Sequence, residues 1–213
     1  MACVSPASQA ADTMAWLSSR QMRTMSRLSD RIPPGPIKLT YEDYVDLPDD
    51  GRRYEIIDGE LEVSPAPAPK HQAVLGNLFW ILHGHVRERR LGSIYFAPID
   101  ILLADTSIVQ PDLVFIAAGR ESIVSGRGIE GPPDLAVEIL SSWSVRRDRV
   151  AKAALYARYG IRHYWVADPD AGVLEMYEAH GTEYRFVGRH EGAAKVRTAV
   201  FPDLEIDLGR VWV

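Results

Sequence analysis

The sequence contains a single cysteine, Cys3, among 213 residues. One cysteine excludes an intramolecular disulfide framework and a cysteine-rich zinc site. No apolar stretch approaches the ~20 residues that span a bilayer, and the first residues lack the compact apolar segment of a secretory signal. These absences predict a cytoplasmic protein with no membrane partner.

The chain also lacks the excess of positive charge that many nucleic-acid-binding proteins carry. It has 24 Lys and Arg against 29 Asp and Glu, a net charge of −5. This balance argues against a generally basic DNA-binding surface, but it is compatible with a local basic groove around an acidic metal site. Gly126-Arg127-Gly128 lacks phosphate-loop spacing, and no serine lies in a nucleophile-elbow pattern.

Residues 1–36 differ in composition from the rest of the chain. They contain four of the five methionines, six serines, four arginines and two aspartates, but no lysine or glutamate. Pro33, Pro34 and Pro36 end this segment and disfavour a helix or strand. We therefore predict a poorly ordered tail over 1–36 and a folded domain over 37–213. A start codon assigned too early and an organelle transit peptide are the alternatives.

Hydrophobic periodicity and turn residues predict the elements of the domain. Helices are expected at Tyr41–Leu47, from His71 to about Arg90, and at Val145–Tyr159. Strands are expected at Tyr54–Asp58, Glu60–Ser64, Ser93–Ala97, Ile99–Leu103, Asp112–Ile116, Leu135–Leu140, Arg162–Ala167, Val173–Glu178 and Glu183–Val187, with loops over Gly119–Pro133. This order predicts an α/β fold in which helices flank a mixed β-sheet.

Two carboxylates lie within apolar runs. Asp112 begins a run that continues to Ile116, and Glu138 interrupts Leu135–Leu140. A buried carboxylate requires a partner, and two of them brought together repel unless one keeps its proton. A divalent cation resolves both problems, and oxygen ligands suit Mg²⁺. The alternative is that each acid ends its strand and faces water.

Lys152 is the candidate partner of these acids, because it lies on the helix that follows the Glu138 strand. A lysine there can hold a phosphate oxygen, orient water or stabilise developing charge. The alternative is a solvated lysine that pairs with Asp148 at helical spacing. His71 begins the long helix, where a capping or surface role is favoured over an active-site role.

Several ordered motifs resemble the Uma2-family endonucleases. The resemblance covers roughly residues 38–212 and rests on segments such as Tyr54–Leu61, Pro111-Asp112, Pro133–Ser141, Arg147-Asp148 with Lys152 and Tyr156, Tyr159–Ile161, Tyr164–Val166 and Asp168-Pro169. This family belongs to the PD-(D/E)XK superfamily of restriction-endonuclease-like folds. The chain departs from relatives at Ser141–Ser144, where they usually carry a proline.

The resemblance implies a restriction-endonuclease-like fold in which Asp112 and Glu138 hold metal. Glu55 matches the family's upstream acid and is a further candidate ligand. In the superfamily, the conserved pattern has a lysine two residues after the second acid. Here that acid is Glu138 and the position is Leu140, so Lys152 from the following helix is the candidate for the lysine's role. The resemblance also implies a homodimer, for which the apolar C-terminal segment Arg210–Val213 is a candidate contact.

The resulting hypothesis is an endonuclease that hydrolyses phosphodiester bonds in nucleic acid, with DNA as the leading candidate substrate. Its expected cofactor is Mg²⁺, and Mn²⁺ is the alternative ion. Asp112, Glu138 and Lys152 are its expected catalytic residues. Arg146, Arg147 and Arg149 are placed to contact backbone phosphates, although solvent exposure is the simpler interpretation. The alternatives are an inactive module of the same fold that binds nucleic acid or a protein, and a glycosidase acid pair.

Overall fold

The computed structural model of the protein describes residues 37–141 and 147–212, and the side chains of residues 147–150 lie outside this description. The described residues from Lys38 onward belong to one unit of the chain. The predicted tail over 1–36 lies outside the described residues, so the boundary at residue 37 stays a prediction.

The described helices are α1 (Tyr41–Val45), α2 (Pro69–Arg89) and α3 (Arg147–Arg158). Asp43 Oδ2 accepts hydrogen bonds from the backbone N–H and the hydroxyl of Thr40, at 2.8 and 2.9 Å, which closes the start of α1. Pro69 opens α2, where its missing N–H costs nothing, and Arg90 ends it in a left-handed conformation. None of the described helices is long and apolar enough to cross a membrane.

The strands divide into two six-stranded sheets and one two-stranded sheet. The first sheet has the order β2-β1-β5-β4-β8-β7, with β1 Arg53–Ile57, β2 Glu60–Ser64, β4 Ile101–Ala104, β5 Ser107–Val109, β7 Val124–Ser125 and β8 Gly128–Glu130. The second has the order β12-β11-β10-β9-β6-β3, with β3 Gly92–Phe96, β6 Leu113–Ala117, β9 Leu135–Ile139, β10 His163–Asp168, β11 Val173–His180 and β12 Glu183–Glu191. The strands β13 Lys195–Arg197 and β14 Glu205–Asp207 form the third.

Both large sheets are mixed, because each contains one parallel pair. In the first sheet β4 and β8 are parallel, and in the second β9 and β10 are parallel. The connection from β9 to β10 contains α3, as a parallel crossover requires. The turn between β1 and β2 places Asp58 and Gly59 at φ 54° and 88°, the positive values that a type I′ hairpin needs.

The central strands of the second sheet, β6, β9 and β10, are buried on both faces. Leu113, Phe115 and Val137 point to a core cluster that includes residues of α2. Val114, Ile116 and Ala136 point to the opposite cluster, which includes Tyr156 and Leu155 of α3 and Ile101 of the first sheet. Tyr164 and Trp165 are buried on opposite faces, so both belong to the core.

Several predictions of local structure need correction. Gly119–Pro133 was expected to be loop, but it contains a 3₁₀ turn at Glu121–Ile123 and the short strands β7 and β8. The sequence patterns also missed β5, β13 and β14, each of three residues, because a run so short shows no reliable alternation. The expected single mixed sheet is two mixed sheets. The fold class, α/β with helices against mixed sheet, is confirmed.

Candidate active site

Two neighbouring strands place Asp112 and Glu138 side by side. Leu113 of β6 pairs with Val137 of β9 in an antiparallel register, so Asp112 and Glu138 each lie one position beyond that pair. Strand alternation puts both on the face of Val114 and Ala136, which packs toward α3. The backbone N–H of Ile139 donates to Asp112 Oδ2 at 2.7 Å and links the two strand ends directly.

Asp112 is 1% exposed and is surrounded by donors. Arg53 Nη2 donates to Oδ1 at 3.0 Å, and His71 Nε2 lies 3.1 Å from Oδ2. Burial raises the pKa of Asp112, but the hydrogen bond to His71 and the charge of Arg53 outweigh burial and lower the pKa below its ordinary value. Asp112 is therefore held as a carboxylate.

Glu138 lies in a different environment. Its Oε1 accepts hydrogen bonds from Lys152 Nζ at 3.1 Å and from the Tyr156 hydroxyl at 2.6 Å. Burial, together with the negative charges of Asp112 and Glu55, raises the pKa of Glu138 to about 7 although Lys152 opposes the shift. Near neutral pH this carboxyl is thus poised between its two protonation states.

Lys152 joins the two large sheets through a pair of acids. Its Nζ lies 2.9 Å from both carboxylate oxygens of Glu55 on β1 and 3.1 Å from Glu138 on β9. Glu55 Oε1 also accepts a hydrogen bond from the backbone N–H of Gln110 at 2.6 Å. Lys152 is buried, and its pKa is raised because the surrounding acids outweigh burial. The alternative of a solvated lysine does not hold.

The site has more carboxylates than permanent cations. Three buried carboxylates, Glu55, Asp112 and Glu138, meet the cations Lys152 and Arg53. An excess of buried negative charge formed by hard oxygen donors is the chemistry that a divalent cation such as Mg²⁺ matches. In the described part of the chain, no three His, Cys, Asp or Glu side chains form a cluster at metal-ligand spacing.

Sequence reasoning missed two residues of the site. His71, assigned to a capping or surface role, is buried against Asp112, and its Nδ1 has no hydrogen-bond partner among the described residues. Arg53 was not considered, although strand alternation places it on the same face of β1 as Glu55. That alternation was the signal available for Arg53, whereas the position of His71 depends on how α2 packs.

The side chains of the three arginines that were predicted to contact phosphate lie outside the described part of the structure. Arg146 lies outside the described residues, and Arg147 and Arg149 lie on α3 with side chains outside the description. Their role therefore stays a prediction.

Comparison with known proteins identifies the family. Residues 41–209 match the model of the Uma2 family, whose description reads "Putative restriction endonuclease". The chain belongs to the Uma2 family. This confirms the resemblance drawn from the ordered motifs, and no curated protein matches this Uma2 chain.

A solved structure shares the fold of this Uma2 chain. It is described as a "putative nuclease belonging to DUF820" from Anabaena variabilis ATCC 29413. The TM-score is 0.68 at 19% identity, and the match covers 82% of this chain and 97% of the other. At this identity the likeness establishes the fold.

Proposed function

We propose that this Uma2 protein is a Mg²⁺-dependent endonuclease that hydrolyses phosphodiester bonds in nucleic acid, with DNA as the leading candidate substrate. The observation that carries the proposal is that Lys152 of α3 binds Glu55 of one sheet and Glu138 of the other, with Asp112 beside Glu138 at the end of the neighbouring strand. The family description and the name of the Anabaena variabilis protein support the same reaction class.

Glu55, Asp112 and Glu138 would supply the oxygen ligands for the cation. Their side chains would move closer together around it, because no three such side chains in the described part of the chain stand at metal-ligand spacing. When bound, Mg²⁺ or Mn²⁺ would make water more nucleophilic and offset charge on the phosphate. Arg53 and His71 hold Asp112 ionised and fixed in orientation. Tyr156 fixes Glu138, leaving Lys152 to orient water or balance charge on the scissile phosphate.

The remaining parts of the proposal concern the setting of the reaction. We propose that Arg146, Arg147 and Arg149 contact backbone phosphates, that the protein acts as a homodimer, and that it works in the cytoplasm without a membrane partner. The position of these arginines beside the site in sequence supports the first statement, and the family resemblance supports the second. The third is based on the lack of a membrane-spanning or secretory apolar run in the sequence.

A cleavage assay tests the reaction. The protein is incubated with plasmid and single-stranded DNA in Mg²⁺ or Mn²⁺, beside the Asp112→Asn and Glu138→Gln variants. Loss of a metal-holding carboxylate is expected to lower the cleavage rate at least about a hundredfold. The control is Glu183→Gln, which removes an exposed acid of β12. Equal behaviour of the native protein and Asp112→Asn across these substrates contradicts the proposal.

A second candidate is a module of the same fold that binds nucleic acid or a protein without cleaving. The net charge of −5 favours it, and so does the contact of both Asp112 oxygens with polar groups of the chain itself. Ligands that bind the folded state raise its stability. The binding module predicts no Mg²⁺-dependent rise in the unfolding temperature, whereas the nuclease predicts one.

A further inference from the structure

A cleft of about 600 Å³ is lined by Arg53 and Gln110, two residues that contact the carboxylates of the candidate active site. Its walls come from the end of α1 and the loop after it, from the start of β1, from the loop after β2, and from the segments around Pro98 and Gln110. Cavities of roughly 300–1,000 Å³ hold small ligands, and a single nucleotide falls in that class. A stacked and paired duplex step does not.

Two residues connect this cleft to the candidate active site. Arg53 lines the cleft and donates to Asp112 Oδ1 at 3.0 Å. Gln110 also lines the cleft, and its backbone N–H donates to Glu55 Oε1 at 2.6 Å. A nucleic-acid strand whose scissile phosphate lies at the carboxylates therefore has its neighbouring nucleotide within reach of the cleft.

The chemistry of the walls suits the parts of a nucleotide. The Arg53 guanidinium has several N–H donors in a planar fork, of which Nη2 is directed at Asp112, and this geometry matches phosphate oxygens. Tyr44, Tyr54, Pro65 and Pro67 supply flat and apolar faces, on which bases stack with little dependence on sequence.

A hydrogen-bonded group holds one wall in place. The Tyr44 hydroxyl donates to Asp100 Oδ1 at 2.6 Å, and Gln110 Nε2 donates to the same oxygen at 2.8 Å and to the Tyr44 hydroxyl at 3.1 Å. These hydrogen bonds join α1, the residue just before β4, and Gln110, which lies two positions before Asp112. Asp100 also offers an acceptor to an exocyclic amino group of a base.

We propose that the cleft is the subsite for an unpaired nucleotide next to the scissile phosphate, with Arg53 holding its phosphate. The proposal rests on the nuclease function proposed above and adds a substrate class, namely nucleic acid that is single-stranded next to the scissile phosphate.

Binding is measured on the full chain carrying Glu138→Gln, which keeps the DNA intact. The probe is a fluorescein-labelled single strand of about ten nucleotides, a length within the usual range of single-strand sites, followed by fluorescence anisotropy in Mg²⁺. The same sequence in a fully paired hairpin is the comparison. The subsite predicts tighter binding of the single strand, and equal or tighter binding of the hairpin overturns it.

Two variants locate the binding. Ala66→Trp fills the cleft from an exposed loop residue and is expected to weaken single-strand binding at least about tenfold, as loss of base stacking does. Arg53→Lys keeps the positive charge near Asp112 but loses the planar fork, and it is expected to weaken binding to a similar extent. Ala118→Trp, an exposed position at the opposite end of β6, is the matched control and leaves binding unchanged.

A structural readout separates binding in the cleft from loss of folding. Gln72 and Gln110 both line the cleft, so the NMR signals of their side-chain amides are expected to shift on titration with the unlabelled single strand. Ala66→Trp abolishes the shifts while its unfolding midpoint stays near that of Ala118→Trp. Unchanged Gln72 and Gln110 signals at saturating DNA overturn the subsite.

The two proposals fail in different ways. If the native protein cleaves no DNA but binds the single strand in the cleft, the nuclease function is wrong and the cleft remains a binding site for an unpaired nucleotide. If it cleaves DNA with the same KM in the native, Ala66→Trp and Arg53→Lys forms, the subsite is wrong and the nuclease function stands.

Discussion

At the scale of single residues, neighbouring acids acquire opposite properties from their surroundings. Asp112 receives N–H donors from Arg53 and Ile139 and lies beside the ring of His71, and its pKa is lowered despite burial. Glu138, one strand away, is buried with other acids nearby, and its pKa is raised to about 7. A like-charged pair separated in this way holds one permanent carboxylate and one that titrates in the physiological range.

The raised pKa of Glu138 makes metal binding depend on pH. Without a cation, the raised pKa reduces folding stability as the pH rises to about 7, because the unfolded chain ionises first. A cation needs the ionised form, so its stabilising effect is expected to grow as the pH rises through about 7. Thermal unfolding with and without Mg²⁺ measures it. At pH values above 7, a Mg²⁺ concentration of about a hundred times Kd is expected to raise the unfolding midpoint by about 5–10 °C. Near pH 6 the expected rise is smaller.

The Asp112→Asn variant is the control for this measurement, since it removes one ligand while leaving Glu138 in place. A Mg²⁺-dependent rise of the same size in the variant, or one that is equal at both pH values, contradicts the assignment of these residues as ligands.

At the scale of elements, α3 holds the two sheets together at the site. Lys152 of α3 binds Glu55 on β1 and Glu138 on β9, and Tyr156, one helical turn further, binds Glu138 as well. The apolar residues of the same helix, including Leu155, pack into the core cluster between these sheets. Helix packing therefore fixes the lysine, and the lysine in turn offsets the charges of acids that face it from two sheets.

Removing Lys152 is expected to destabilise the fold as well as the reaction. Lys152→Met leaves Glu55 and Glu138 buried without their cation, and breaking a buried ion pair from one side costs about 3–5 kcal/mol. Urea unfolding of the cation-free protein measures the loss. Lys195→Met is the matched control, because Lys195 pairs with Glu205 at the surface and such pairs contribute at most about 1 kcal/mol.

The double variant Lys152→Met with Glu55→Gln tests the cause of that loss. Because it removes a charge from each side, it is expected to be more stable than the sum of the two single effects implies. Strict additivity would show that the loss does not come from the ion pair between Lys152 and Glu55.

At the scale of the whole molecule, the C-terminal segment completes the core on the outer face of the second sheet. Val211 is 1% exposed, belongs to the cluster that contains Leu208 and Phe201, and accepts a hydrogen bond from Asn77 of α2 through its backbone oxygen. The expectation that Arg210–Val213 docks a second subunit is therefore wrong for Val211, since its apolar surface is already used within the chain. Homodimerisation itself stays a prediction.

Val211→Asp distinguishes a core role from a dimer role. A buried, unpaired carboxylate is expected to lower the free energy of unfolding by about 3 kcal/mol or more. The control is Val187→Asp, at a position on β12 that is 56% exposed. Urea unfolding combined with light scattering gives both readouts. A dimer that becomes a stable monomer in Val211→Asp, with no loss of unfolding free energy, would return this segment to the interface.

The sequence alone was sufficient for the elements with strong local signals. The spacing of Val74, Leu75, Leu78 and Leu82 predicted α2. The helix ends at Arg89, one residue before the expected end at about Arg90. Asp112 and Glu138 were singled out because a charge within an apolar run carries a desolvation cost that needs an explanation. Ordered motifs also indicated the Uma2 family. Periodicity, capping and local charge are encoded over a few residues, so they can be read without the fold.

The tertiary structure alone decided which distant groups meet. The division of the strands into two sheets places Glu55 of one sheet and Glu138 of the other on the same lysine. The packing of α2 brings His71 to Asp112, and the start of β1 brings Arg53 to the same carboxylate. These contacts join residues 14 to 97 positions apart. They depend on how whole elements pack, and no local pattern in the chain encodes that arrangement.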